Sequence, residues 1–140
     1  VRILDSIEIP ELRIWGLNSH EHWGLRQRRR KSHRLLGRTF GERLTVQFPC
    51  VVRITRIGPR RMDDDNCIGG CKGVRDGLAD AFGVDDGDPR IRWAYGQESR
   101  GRGVYAVLVE VLVMEDMQKI VDANEKLVKE LKDGKSSNRL

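Results

Sequence analysis

From Arg43 onward the chain alternates. Leu44, Val46, Phe48, Cys50, Val52 and Ile54 share one parity, and Thr45, Gln47, Val51, Arg53 and Thr55 share the other. Side chains of an extended strand point to opposite faces in turn, so this period of two predicts a strand with one buried face. Pro49 has no N–H to give a ladder, which argues for an edge position or a bulge there. Gly58-Pro59 ends the stretch.

The rest of the sheet is sought in similar patterns. Ile7-Glu8-Ile9 alternates and is ended by Pro10, predicting a first strand. Ile91, Trp93 and Tyr95 alternate, and Val104 to Val113 is apolar on both faces, as a central strand would be. The Gly-rich segment Glu98 to Gly103 lies between these two, so they read as a hairpin.

Helical spacing fills the intervals. A helix is predicted from about Ser19 to Leu36, capped by Asn18 with Glu21 at the capping-box position. Residues 67 to 82 carry Cys67, Cys71, Val74, Leu78, Ala81 and Phe82 on one side. Gly69, Gly73 and Gly77 form a second stripe without side chains, and close helix packing is its simplest reading. Glu115 and Asp116 open a last helix with Met117, Ile120, Val121, Leu127, Val128 and Leu131 at helical spacing. Lys129 and Lys132 near its end complement the dipole.

These elements predict an α+β fold: a single domain over residues 1–132, a small mixed sheet with helices packed against it, and a disordered tail over 133–140. A length of 140 residues suits one core. No apolar run is long enough to cross a bilayer, no signal peptide is visible, and three cysteines give no disulfide framework. A soluble protein of a reducing cytoplasm is expected, with no membrane partner.

The formal net charge is +5, and its distribution matters more than its size. Arg26, Arg28, Arg29, Arg30, Lys31 and Arg34 crowd the first predicted helix, where Glu21 alone cannot neutralise them. Such a run is either a solvated face or a surface for a polyanion, and clustering without acidic partners favours nucleic acid. His20, His22 and His33 lie in or beside this helix, suiting phosphate contact or plain exposure better than catalysis.

Against this basic background, acid is concentrated in Asp63-Asp64-Asp65-Asn66 and in Asp85-Asp86-Gly87-Asp88. Carboxylates so close repel unless a cation lies between them, and Mg²⁺ needs only one or two together with waters and substrate phosphates. If the first cluster is extended, Asp63 and Asp65 project to one side and Asp64 away. Asp86, with Asp85 or Asp88 nearby, could add a third carboxylate. The competing reading is a helix cap, with Asp65 or Asn66 closing the helix that starts at Cys67. An EF-hand is excluded, because Cys67, Ile68 and Val74 stand where its ligand, glycine and glutamate belong. Cys67 and Cys71 without a second close pair point to buried thiols sooner than to zinc.

In order, Asp63-Asp64-Asp65-Asn66, Lys72, Asp76-Gly77-Leu78 and Val84-Asp85-Asp86 resemble the D-x-D-N, K, D-x-L, DD pattern of RusA-type Holliday junction resolvases, common on phages and prophages. The resemblance is specific over residues 63 to 96. Asn18 with its basic helix and the strand before the acidic cluster are similar to the family's amino-terminal half. It implies a homodimeric, Mg²⁺-dependent endonuclease (Mn²⁺ a possible substitute) that nicks four-way DNA junctions in recombination and repair, in the cytoplasm of a bacterial or phage-infected cell. Asp63, Asp65 and Asp86 match the essential carboxylates and metal ligands, and Lys72 matches the lysine. Lys72 stands six residues after Asn66, where the family's lysine stands three after, as if residues were inserted beside the site. Outside the resemblance, a non-catalytic basic DNA-binding protein and a metal-dependent nuclease of other substrate preference remain open.

One length is decisive. A continuous helix from Cys67 to Phe82 would separate Asp65 from Asp86 by about 24 Å, too far to share a cation. The expectation is therefore a helix broken or shortened at its glycines with a chain that folds back, or a site completed across a dimer.

Overall fold

The alternating stretch becomes a strand only at Cys50. In a computed structural model that describes residues 1–16 and 22–134, the side chains of 115–121 excepted, the order is β1 (Arg2–Pro10), α1 (Trp23–Gly41), β2 (Cys50–Ile57), α2 (Asp64–Gly70), α3 (Lys72–Phe82), β3 (Ile91–Glu98), β4 (Ala106–Val113) and α4 (Glu115–Lys132). The predicted cap at Asn18 and Glu21 and most of the predicted tail lie outside the described residues. His22 holds the N-cap position of α1, its Nδ1 accepting from the Gly24 N–H at 3.1 Å.

The four strands form one mixed sheet in the order β1-β4-β2-β3. β4 runs antiparallel to both β1 and β2, while β2 and β3 are parallel. The single α+β domain with a small mixed sheet is thus as the sequence indicates, and two details are not. β2 lies inside the sheet between β4 and β3, so Pro49 marks neither an edge nor a bulge. It precedes the first ladder residue, where its missing N–H is not needed. Leu44, Val46 and Phe48 still pack on the core, from an irregular segment.

Nor is there a hairpin of β3 and β4. The two strands are not neighbours, because β2 occupies the place between them. The connection through residues 99–105 crosses the end of β2 and spans two strand spacings, about 10 Å. Arg100 braces it by pairing with Glu98 and with Glu8 of β1.

One face of the sheet carries the core. Val52, Ile54, Val107, Val109 and Val111 are fully buried against Cys67, Cys71, Val74 and Leu78. The opposite face holds the cross-strand pair Arg53 and Glu110, at 2.9 Å. Helix α1 packs on α3 through glycines of both. A Cβ on Gly37 would meet the Val74 carbonyl at 2.5 Å, and one on Gly73 would meet His33 Cβ at 2.8 Å. The stripe at Gly73 and Gly77 is therefore helix packing, and its partner stripe is Gly37 and Gly41. On α4, Leu127, Val128 and Leu131 are half exposed, so the predicted apolar side has no cover there.

Candidate functional site

The acidic cluster sits at the end of a short connection that the sheet holds in place. Gln97, on edge strand β3, treats Met62 as a strand partner: its Nε2 donates to the Met62 carbonyl at 2.7 Å, and its Oε1 accepts from the Met62 N–H at 3.0 Å. Arg56 works from β2. Its guanidinium is buried, and Nη1 donates to the Arg60 carbonyl at 2.6 Å and to Gln97 Oε1 at 3.3 Å, while Nε has no partner. A buried guanidinium is costly unless its donors are used. Here only Nη1 is used, on the Arg60 carbonyl and the Gln97 amide, and those two bonds help to set where the next three aspartates begin.

Those aspartates do not continue the strand. Asp63 is the N-cap residue of α2, and Asp64 and Asp65 form its first turn. The expected projection of Asp63 and Asp65 to one side is corrected, since successive helical residues are separated by about 100°. The expected caps at Asp65 or Asn66 are corrected too: the helix starts earlier, and the Asp63 side chain makes no capping bond. All three carboxylates are exposed. Asp64 is engaged, accepting from Arg61 Nη2 at 3.2 Å and from Gln97 Nε2 at 3.4 Å. No hydrogen bond or ion pair joins the Asp63 or Asp65 carboxylate to another described residue.

A break follows at once. Cys71 separates α2 from α3, so Lys72 opens a new helix, exposed and one helix away from Asp65. Cys67 and Cys71 are buried free thiols, and the hydrogen bond that Cys71 donates to Cys67 together with burial keeps Cys71 protonated. Among the described residues no group of three or more His, Cys, Asp and Glu side chains is gathered to hold a metal.

Asp86 lies in the loop after α3, and Arg75 draws that loop back along the helix. Arg75 Nη2 donates to the Asp86 carbonyl at 3.2 Å and lies 3.8 Å from its carboxylate, while Nη1 donates to the Tyr95 hydroxyl at 3.1 Å. The Trp93 indole N–H donates to the same Asp86 carbonyl at 3.0 Å. The chain folds back as far as the second turn of α3 and no farther, so within one chain Asp86 does not complete a three-carboxylate group with Asp63 and Asp65. Asp88 is committed elsewhere: hydrogen bonds from the Arg90 guanidinium and N–H hold its carboxyl down to about 2.

The basic helix is brought beside this region. Arg26, Arg29 and Arg30 line a small cleft with Trp15, His33, Gly69, Gly70 and Gly73, so α1 meets the α2–α3 junction. Arg29 and Arg13 both stack on Trp15. Arg28 and Lys31 are exposed. The cluster does have an acidic partner, which the sequence order hides: Arg34 makes a two-pronged pair with Asp80 of α3, at 2.7 and 2.9 Å. That pairing holds the Asp80 carboxyl below its usual range. His33 is buried, and its pKa falls to about 4 through burial and the nearby Arg29, so it is a neutral packing residue.

A second groove runs between α2 and β3, about 460 Å³, lined by Arg61, Asp64, Cys67, Ile68 and the β3 residues Trp93 to Gln97. Gln97, Arg56 and Arg75 were not singled out by sequence. For Gln97 a signal existed, since it continues the parity of Trp93 and Tyr95 toward the site. For the two arginines there was none. Among family models, curated proteins and solved structures, none matches this chain.

Proposed function

We propose that the chain is a Mg²⁺-dependent endonuclease that resolves four-way DNA junctions as a homodimer. The observation that carries this reading is the state of Asp63 and Asp65. In a chain whose Asp64, Asp80, Asp86, Asp88 and Glu110 are each beside an arginine, these two carboxylates, like Asp85 of the second cluster, are exposed and bound to no described residue. They begin a helix whose preceding three residues are held by a buried arginine and a glutamine.

Two exposed, unpaired carboxylates meet the requirement of Mg²⁺, which takes one or two and leaves other positions to waters and phosphate oxygens. Asp63 and Asp65 would hold it, with Asp86 supplied across a dimer. Bound there, the ion would supply a hydroxide-like water at neutral pH and charge neutralisation at the phosphate. The chain's own residues divide the remaining work. Lys72, exposed at the first position of α3, is free to reach a phosphate oxygen and offset charge growing on it. Arg28, Arg30 and Lys31 take DNA phosphates, and Arg26 and Arg29 extend that surface to the α2–α3 junction. Arg34, already paired with Asp80, chiefly fixes the angle of the basic helix.

The test is incubation of the protein with a four-way junction in Mg²⁺ or Mn²⁺. Paired nicks by wild type, lost in Asp63→Asn and Asp65→Asn, are expected. No cleavage by wild type, or undiminished cleavage by Asp65→Asn, rejects the reading. A nuclease of other preference would cut flaps or single strands in the same panel, and a non-catalytic DNA-binding protein would bind equally with and without metal.

A further inference from the structure

The groove between α2 and β3 has no part in the mechanism above, yet it is built unlike a gap in packing. Its wall is an aromatic pair on one face of an edge strand, Trp93 and Tyr95, both half-buried and both packed against the core from behind. Each ring is pinned at its polar edge. The Trp93 indole N–H is bound to the Asp86 carbonyl and the Tyr95 hydroxyl accepts from Arg75, while the Arg75 guanidinium sits over the Trp93 ring, 5.2 Å from its centre, and both rings still line the groove. Aromatic surfaces fixed in this way lose little freedom when something stacks on them.

The other boundaries narrow what that something is. At about 460 Å³ the groove is in the range of small-molecule clefts and is open along one side. At one end the Gln97 amide is spent on Met62 and Asp64, so it offers little to read the edge of a guest. At the mouth stands Arg61, whose ion pair with Asp64 is exposed on both partners, 75% and 76%. Exposed pairs of this kind hold weakly, so the guanidinium can turn to an incoming anion.

We propose that this groove seats one unpaired nucleobase of a DNA strand, stacked on Trp93 and Tyr95, with its flanking phosphate on Arg61. A flat π-surface plus one cation is the recognition chemistry of single-stranded nucleic acid, and it tolerates any base because every base has a π-face. A base paired inside a duplex cannot enter such a groove. The site therefore selects strands that are already open, as at a branch point. It rests on the nucleic-acid part of the proposed function and not on the catalytic part.

The test uses the full chain with Trp15→Phe and Trp23→Phe, which leaves Trp93 as the only tryptophan of the three. It is titrated in EDTA at fixed salt with a short single strand, with the matching duplex, and with a single strand carrying 2-aminopurine. Expected are Trp93 quenching and stacking of the 2-aminopurine with the single strand, and neither with the duplex. Trp93→Ala and Tyr95→Ala each weaken single-strand binding about tenfold with duplex binding unchanged. Trp93→Phe, which preserves an apolar ring in the core, gives a smaller loss and guards against misfolding of the alanine variant. Equal quenching by duplex and single strand, or single-strand affinity indifferent to Trp93→Phe and Tyr95→Ala, overturns the proposal. A chain that cuts nothing but gives the single-strand quench rejects the catalytic reading alone. One that cuts junctions without the quench rejects only the groove.

Discussion

Gln97 and Met62 form a two-bond pair in which a side-chain amide takes the place of a neighbouring strand, at 2.7 and 3.0 Å. The pair lies where β3 is an edge, so the connection leading to Asp63 gains the directional bonding of a sheet without being a strand. Gln97→Ala leaves the Met62 N–H and C=O, and part of the Arg56 guanidinium, without partners. The expected cost is about 1 to 3 kcal/mol, read from urea unfolding. Gln97→Glu keeps the acceptor for the Met62 N–H and sets a negative oxygen against the Met62 carbonyl and Asp64, so it is expected to destabilise as well. In a junction-cleavage assay both variants should lose rate beyond what their folded fraction explains.

The basic cluster separates into two kinds of residue. Arg28 and Lys31 are exposed, whereas Arg34 is tied to Asp80 of α3. Arg28→Glu with Lys31→Glu should lower DNA affinity and flatten its dependence on salt, by roughly one unit of slope for each phosphate that is no longer neutralised. Their melting temperature should not move. Arg34→Ala should instead lower stability, by up to about 1 kcal/mol for a surface pair. A salt titration of DNA binding beside a thermal melt distinguishes the two behaviours.

Acid should expose the burial of His33. Its folded pKa is about 4 against an ordinary 6.5, so between these values the unfolded chain binds a proton that the folded chain refuses. The neutral imidazole's contribution is complete above about pH 6.5 and is lost as pH falls toward 4. At the lower end the loss is about 3 kcal/mol at most. His33→Gln removes this component. Urea unfolding at pH 7 and at pH 4.5 should give a larger fall for wild type than for the variant, and equal falls would refute the burial argument.

Where two helices touch through glycine, a single methyl group is a strong probe. A Cβ on Gly77 would run into the Arg34 carbonyl and lie 2.7 Å from the Arg38 nitrogen, both backbone atoms. Gly77→Ala should force α1 and α3 apart and cost about 2 kcal/mol or more, despite the better helix propensity of alanine. Gly87→Ala, with nothing within 4 Å of the added carbon, is the control and should leave the unfolding midpoint almost unchanged.

What local chemistry controls was legible in the chain alone. The parity of Val52 and Ile54 told which side chains of β2 turn to the core, and the glycine stripe on α3 announced a close helix neighbour. These signals depend on backbone periods of 2 and 3.6, which a chain carries at every length. The same local reading placed β2 too early and made a hairpin of β3 and β4. Alternation records burial; it does not record which strand lies alongside.

The remainder waited on packing between distant segments. Arg34 with Asp80, Gln97 with Met62, and Arg75 with Asp86 are bonds between groups 46, 35 and 11 positions apart, and none has a local pattern. The aspartates follow the same rule. Their order along the chain and the need for a broken helix between them were visible from the start, whereas the helical turn that separates Asp63 from Asp65, the place of the break at Cys71 and the hold of Arg75 on the Asp86 loop are consequences of tertiary structure. A carboxylate's usefulness depends on where it points and on which cation already holds it. Both are settled only after distant elements have met.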